Sequence, residues 1–247
     1  MMKNGKPILA ITMGDPAGIG PEIILQALSL KETYEKCNPI VTGDAAVMEY
    51  VARQQGSRLC IHAVKDVDEA LFEPGTVDVF DLNLIDMNTF EQGKVAVQCG
   101  NAAFQSVIKA IELAMENEVD GTVTAPLNKE ALNLAGHHFD GHTEIYAHFT
   151  HTKKYAMLLA DEFLRVIHVS THVPLRKACD LVKKERIIDV TELITDACRQ
   201  FGIENPKIGI AGLNPHASDG GLFGDEERLE IAPAVEELKA RGFNVEG

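Results

Sequence analysis

Two histidines of this chain stand directly after apolar runs: His172 after "LRVIHVST" and His216 after "KIGIAGLNP". Imidazole is the commonest metal ligand among side chains. Imidazoles from two strand ends can meet on one ion, with water or substrate completing the shell. His172 is flanked by Ser170, Thr171 and Pro174, and His216 by Asn214 and Pro215, so both stand in shaped loops. The plain alternative for each is an exposed or hydrogen-bonded loop histidine. A third feature is "GHTE" at 141–144, just before an apolar helical stretch. There His142 or Thr143 can cap a helix, and the free amides of the first turn can receive an anion.

The other histidines carry less. His148 and His151 are spaced i, i+3 on one predicted helix without the third ligand of an H-E-x-x-H pattern, and read as a solvated face. His137, His138 and His168 read as structural. "GDPAGIGPE" has glycines at 14, 18 and 20, but Ile23 stands where a dinucleotide fingerprint needs its last glycine. The loop "GLNPHASDGGLFGDEE" at 212–227 lacks the lysine and spacing of a P-loop, and Asp225 to Glu227 read as the acidic start of a helix. No G-x-S-x-G nucleophile elbow is present.

These residues need elements to position them, and the chain supplies strand, loop and helix in alternation. Strands are expected over Pro7–Met13 and in "NPIVTGD", "RLCIHAV", "TVDVFDL", "VDGTVTAP", "YAMLLA", "LRVIHVSTH" and "PKIGIAGLNPH". Helices are expected from Pro21, over Ala45–Gln55 and Gly100–Glu116, and in "NKEALNLAG", "EIYAHFTHT", "VTELITDACRQFG" and "EERLEIAPAVEELKARG". That alternation predicts an α/β fold with mostly parallel sheets covered on both faces. Ligands of such sheets bind beyond the carboxyl ends of the strands. If the strands run parallel, the loops Gly14–Gly20 and Thr124–Lys129 and the two histidines share one rim. A division near residue 127 gives a first domain over 1–127 and a second over 128–247. The chain closes on "FNVEG", the expected start of another strand, which suggests further sequence beyond it.

Composition narrows the partners. The 247 residues are 45% apolar, ordinary for a globular protein. The formal net charge of −14 opposes nucleic acid and anionic membrane, so neither is an expected partner. No run approaches the roughly 18 apolar residues of a membrane span. Five scattered cysteines without a C-x-x-C pair fit a reduced, cytoplasmic chain.

Taken together, "ITMGDPAGIGPEI", "TAPLNKEAL", "GHTE", "STHVPLRKA" and "GLNPHASDGGLFGDEE" resemble the 4-hydroxythreonine-4-phosphate dehydrogenase family of pyridoxine biosynthesis. "TAPLNKEALNLAGHHFDGHTE" with "VIHVSTH" is similar to the branch acting on D-threonate or D-erythronate 4-phosphate. The resemblance implies two α/β/α domains, related to isocitrate and isopropylmalate dehydrogenases, with the active site in the cleft between them. It implies a homodimer with a shared site. It also implies NAD-dependent oxidation, with decarboxylation, of a 4-phosphorylated 3-hydroxy acid. Zinc, cobalt, magnesium or manganese would serve as the divalent ion, with His172 and His216 as metal ligands. His142 and Thr143 become substrate contacts, and Asn214, Gly220 and Gly221 lie where the family approaches NAD. The family continues for roughly a further third with a third metal histidine and further substrate contacts. The other readings are a phosphate acyltransferase-like enzyme on a related fold and an inactive fragment.

Overall fold

The computed structural model describes residues 5–247. Contacts divide it into two compact units, one ending at His151 and the other running from Thr152 to Gly247. The first unit holds strands β1 (Ile8–Thr12), β2 (Asn38–Gly43), β3 (Cys60–Val64), β4 (Thr76–Asp81) and β5 (Gly121–Thr124). Its helices are α1 (Gly20–Leu28), α2 (Lys31–Lys36), α3 (Ala45–Gln54), α4 (Val97–Met115), α5 (Lys129–Leu134) and α6 (His142–Phe149). All five strands are parallel, in the order β3-β4-β2-β1-β5. Successive strand residues point to opposite faces, and here both faces are covered: Ile40 belongs to one apolar cluster and Val41 to the other. The expected boundary near 127 lies in the loop between β5 and α5, and both α5 and α6 pack onto α4.

The strand order places a switch point beside β1. From β1 the chain moves to β2 on one side, and it later returns to lay β5 on the other. Loops diverge there and leave a crevice at the carboxyl ends, the usual ligand position of open α/β sheets. The two loops expected at this rim, Gly14–Gly20 and Thr124–Lys129, flank the switch point. They are stitched together, since Asp15 N donates to Pro126 O at 3.0 Å. Gly14 (φ 72°) is required there, because a Cβ would sit 2.5 Å from the Pro126 carbonyl oxygen.

The second unit holds strands β6 (Leu158–Ala160), β7 (Arg165–Ile167), β8 (Ile208–Gly209) and β9 (Val245–Glu246), and helices α7 (Leu175–Asp180), α8 (Lys184–Gln200) and α9 (Ala232–Ala240). β6 and β7 form an antiparallel hairpin, while β8 pairs parallel with β9. β1 and β5 run parallel to each other in the first unit, and β7 lies in a separate antiparallel pair in the second. The last helix differs from expectation. Residues Glu227–Ile231 form a π-helical turn before α9, with a proline in its first turn. Pro233 has no N–H for the i→i−4 ladder, and the wider turn accommodates the gap. Helices α2 and α7, six residues each, are additional to the expected elements.

An apolar cavity of about 670 Å³ lies in this unit, lined by Arg165 to Ile167 of β7, by residues 207–213 around β8, and by Val190 and Ile194 of α8. A strand that shows a face lines a cavity with alternate residues; one that shows its edge lines it with consecutive residues. β7 and β8 therefore turn open edges to this cavity. Ile208 N and Ile210 N donate to Asn244 O and Glu246 O of the β9 side, so alternation turns the Gly209 amide into the cavity. In native-state hydrogen exchange, Gly209 is expected to exchange at least tenfold faster than Ile208 and Ile210. Equal protection at all three positions would show that the edge is paired.

Candidate active-site elements

In the first unit the expected substrate contacts His142 and Thr143 stand on α6. That helix is fixed from several sides. Ile145 is fully buried, Tyr146 Oη donates to Thr122 Oγ1 of β5 at 2.9 Å, and Phe149 meets Phe104 of α4 edge-on at 5.7 Å between centroids. His137 stacks on Phe104 at 3.7 Å and shares a 3.1 Å hydrogen bond with Asn101; His138 shares one of 2.8 Å with Asn133. Both do structural work, as expected. His148 packs on Phe139 at 5.6 Å.

The rigid support holds an unfinished end. Gly141 at the N-cap has no side chain to cap the helix, so its first-turn amides await an acceptor. His142 and Thr143 open the helix and are half-buried. His142 Nε2 is buried without a hydrogen-bond partner, and so is Glu144 Oε2. Burial holds the His142 pKa below its usual value, so the ring is neutral at pH 7. Buried polar atoms are nearly always paired, and each exception asks for a missing water, ion or ligand. Two such atoms in one helical turn, beside free amides, fit a polar ligand that carries an anionic group.

In the second unit His172 and His216 both stand exposed in loops that follow strands. Both have left-handed backbone, at φ 56° and φ 54°. That region is disfavoured for a residue with a Cβ and costs on the order of 1 kcal/mol. After His216 the same conformation continues through Ala217, Ser218 and Asp219 to Gly220. Backbone strain of this kind gathers at functional sites, where the surroundings must impose it.

The imposing group here is Glu227. Its Oε1 accepts from Leu213 N at 2.8 Å and Asn214 N at 2.6 Å, and its Oε2 accepts from Asn214 Nδ2 at 2.8 Å. Asn214 Nδ2 also donates to Glu226 Oε2 at 2.8 Å. The Asn214 amide bonds hold the Glu227 carboxyl below its usual pKa. Asn214, an expected cofactor contact, therefore spends its N–H donors on the loop itself, and its carbonyl oxygen is what a ligand can use. Gly220 has open space where a Cβ would stand, and Gly221 meets only Asp225 Oδ1, at 3.7 Å. The sequence offered no sign of the Glu227 anchor: an acidic helix start looks the same whether its carboxylates face solvent or fold back.

The donor set for a metal is partial. Among the described residues no group of three or more His, Cys, Asp or Glu side chains is placed to hold an ion. Two imidazoles supply half of a four-coordinate shell. The five cysteines are free, and no helix among the described residues is long and apolar enough to cross a membrane.

The chain is similar to several known proteins. A protein of Clostridium botulinum provisionally named D-threonate 4-phosphate dehydrogenase is 44% identical over 246 residues, covering 100% of this chain and 74% of the relative. A Symbiobacterium thermophilum protein with the same provisional name is 43% identical over 98% of this chain and 72% of its own. The crystal structure of 4-hydroxythreonine-4-phosphate dehydrogenase from Klebsiella pneumoniae superposes with a TM-score of 0.89 at 42% identity, covering 98% of this chain and 73% of that one. The sequence profile of the pyridoxal phosphate biosynthetic protein PdxA matches residues 35–247. With this profile match over most of its length and relatives of this identity, the chain belongs to the PdxA family.

Proposed function

We propose that the chain is a dehydrogenase of a small 4-phosphorylated hydroxy acid, of the type 4-phosphohydroxy-threonine or D-threonate 4-phosphate. The observation that carries it is family membership, with a relative 44% identical over the whole chain; His172 and His216 each follow a strand of the second unit, in a left-handed backbone that His151 shares. In this reading His142 and Thr143 bind substrate at the open end of α6, whose amides suit its anionic group. Neutral His142 offers one N–H and one lone pair, so it can bond a hydroxyl without adding charge. Asn214, Gly220 and Gly221 would hold NAD, which would supply the hydride acceptor, and the open space at Gly220 allows close approach. The loop anchor at Glu227 keeps His216 oriented.

The reading includes a divalent ion on His172 and His216. Such an ion supplies Lewis-acid stabilisation of charge on substrate oxygen. His172 and His216 would hold it through their imidazole nitrogens. A second copy of the chain is the proposed source of further contacts.

The test is absorbance at 340 nm with D-threonate 4-phosphate or 4-phosphohydroxy-threonine, NAD and a divalent metal. A rise that depends on all three components is expected. No reduction of NAD with either acid, under any of zinc, cobalt, magnesium or manganese, would count against the reading.

A further inference from the structure

We propose that Glu144 is a specificity-determining residue that accepts a hydrogen bond from a hydroxyl of the ligand. The proposal rests on the substrate reading above and extends it to a side chain that reading does not use.

The geometry is as follows. Glu144 occupies the first turn of α6, where a glutamate commonly reaches back to the N-cap amide and satisfies it. Its carboxylate does fold back: Oε2 lies 3.6 Å from where a Cβ on Gly141 would stand. Yet it closes no capping bond, and Oε2 is buried with no partner. A buried oxygen left so loses its water without recovering a hydrogen bond, which is costly. Two residues earlier, His142 Nε2 is in the same condition.

The chemistry of the two atoms selects the ligand group. An ionised carboxylate oxygen only accepts. It repels phosphate and carboxylate and demands a donor. A neutral imidazole nitrogen either donates or accepts. A hydroxyl has one proton to give and two lone pairs, so it can donate to Glu144 and still bond His142. The first-turn amides meanwhile suit the anionic end of the same molecule. A ligand carrying both a hydroxyl and an anionic group therefore fits this helix end better than a simple anion. Glu144 thus discriminates among phosphorylated acids by their hydroxyls and disfavours those without.

The test compares two probes by calorimetry: D-erythronate 4-phosphate, and 4-phosphooxybutanoate, which keeps both anionic ends and lacks the hydroxyls. The unmutated chain is expected to bind the hydroxylated acid at least tenfold more tightly. In Glu144→Gln the preference is expected to fall to about twofold, while the deoxy acid binds equally or more tightly because a negative charge has gone. A Glu144→Gln chain that keeps the tenfold preference, or that weakens both probes equally, overturns the proposal. If the unmutated chain binds both acids equally, the proposal fails and the phosphorylated-acid reading stands. If it binds neither, that reading fails and takes the proposal with it. Should Glu144→Gln not fold, the carboxyl carbon resonance of Glu144 in the unmutated chain is the readout. It is expected to move with the hydroxylated acid alone, and a shift that is the same with both acids, or absent with both, overturns the proposal.

Discussion

Gly100→Ala is expected to destabilise the chain by about 3 kcal/mol and to lower Tm by roughly 6–12 °C. Two effects oppose each other at this position. Gly100 lies inside α4, where alanine is the better helix former by about 1 kcal/mol. Judged on the helix alone, the substitution should stabilise. The neighbour decides otherwise. A Cβ on Gly100 would stand 1.9 Å from the carbonyl oxygen of Ala131, 2.3 Å from its carbonyl carbon and 2.8 Å from Leu132 N. All three are backbone atoms of α5, so no rotamer change relieves the clash, and α5 must move away as a body. That movement opens the contact around Ala131 and Leu132, both fully buried. Overpacking costs of about 1–3 kcal/mol are typical where side chains can yield, and a rigid helix backbone puts this site at or above the top of that range. Chemical denaturation measures the difference directly. A variant as stable as the unmutated chain, or more so, would mean that α4 and α5 are not in this close contact. The natural control is Gly56→Ala, which meets no atom within 4 Å and carries only the strain of its φ of 62°.

Gly100 also shows where sequence reading stops. The strand and helix alternation of the first unit was legible because each element buries an apolar set at its own period, as Ile40 and Val41 do on opposite faces of β2. The start of α6 at "GHTE" was legible from local chemistry, and the observed helix begins at His142. A glycine inside a helix carries no such signal; only the approach of Ala131 from another element explains it. β6 and β7 stand where the sequence predicts two strands, but three-residue strands do not announce their direction. The left-handed run after Pro215 was hidden for a different reason. Its residues are His, Ala, Ser and Asp as well as glycine, and the conformation follows from an anchor thirteen positions away, where Glu227 accepts from Asn214 N. Local composition describes what a residue prefers. At the candidate site the backbone is held where its residues do not prefer to be, so tertiary contacts had to supply the answer.

His172→Ala and His216→Ala are each expected to weaken binding of cobalt or zinc by about 100-fold, the equivalent of about 2.7 kcal/mol. The reasoning begins with the strain. Left-handed residues with side chains cost stability, and both histidines carry that cost in separate loops. If they were only solvated loop residues, replacing either with glycine would stabilise the chain and change nothing else. If they are ligands, removing one imidazole leaves a single protein donor, and an ion held by one donor exchanges freely with water. Stability and metal uptake should therefore move in opposite directions: His172→Gly and His216→Gly melt slightly higher than the unmutated chain and lose the ion. A purely structural role does not produce that pair of changes. The control histidines separate a specific site from general imidazole binding. His148, packed on Phe139, and His151, at the end of α6, should leave uptake unaltered when changed to alanine. With only two imidazoles supplied, affinity for the free ion should be modest and should rise when a phosphorylated hydroxy acid is added, because its oxygens fill open positions in the shell. The d–d absorbance of bound cobalt reads this out without turnover. Cobalt uptake that survives both His172→Ala and His216→Ala, or that is lost in His148→Ala, would remove these two residues from the metal assignment.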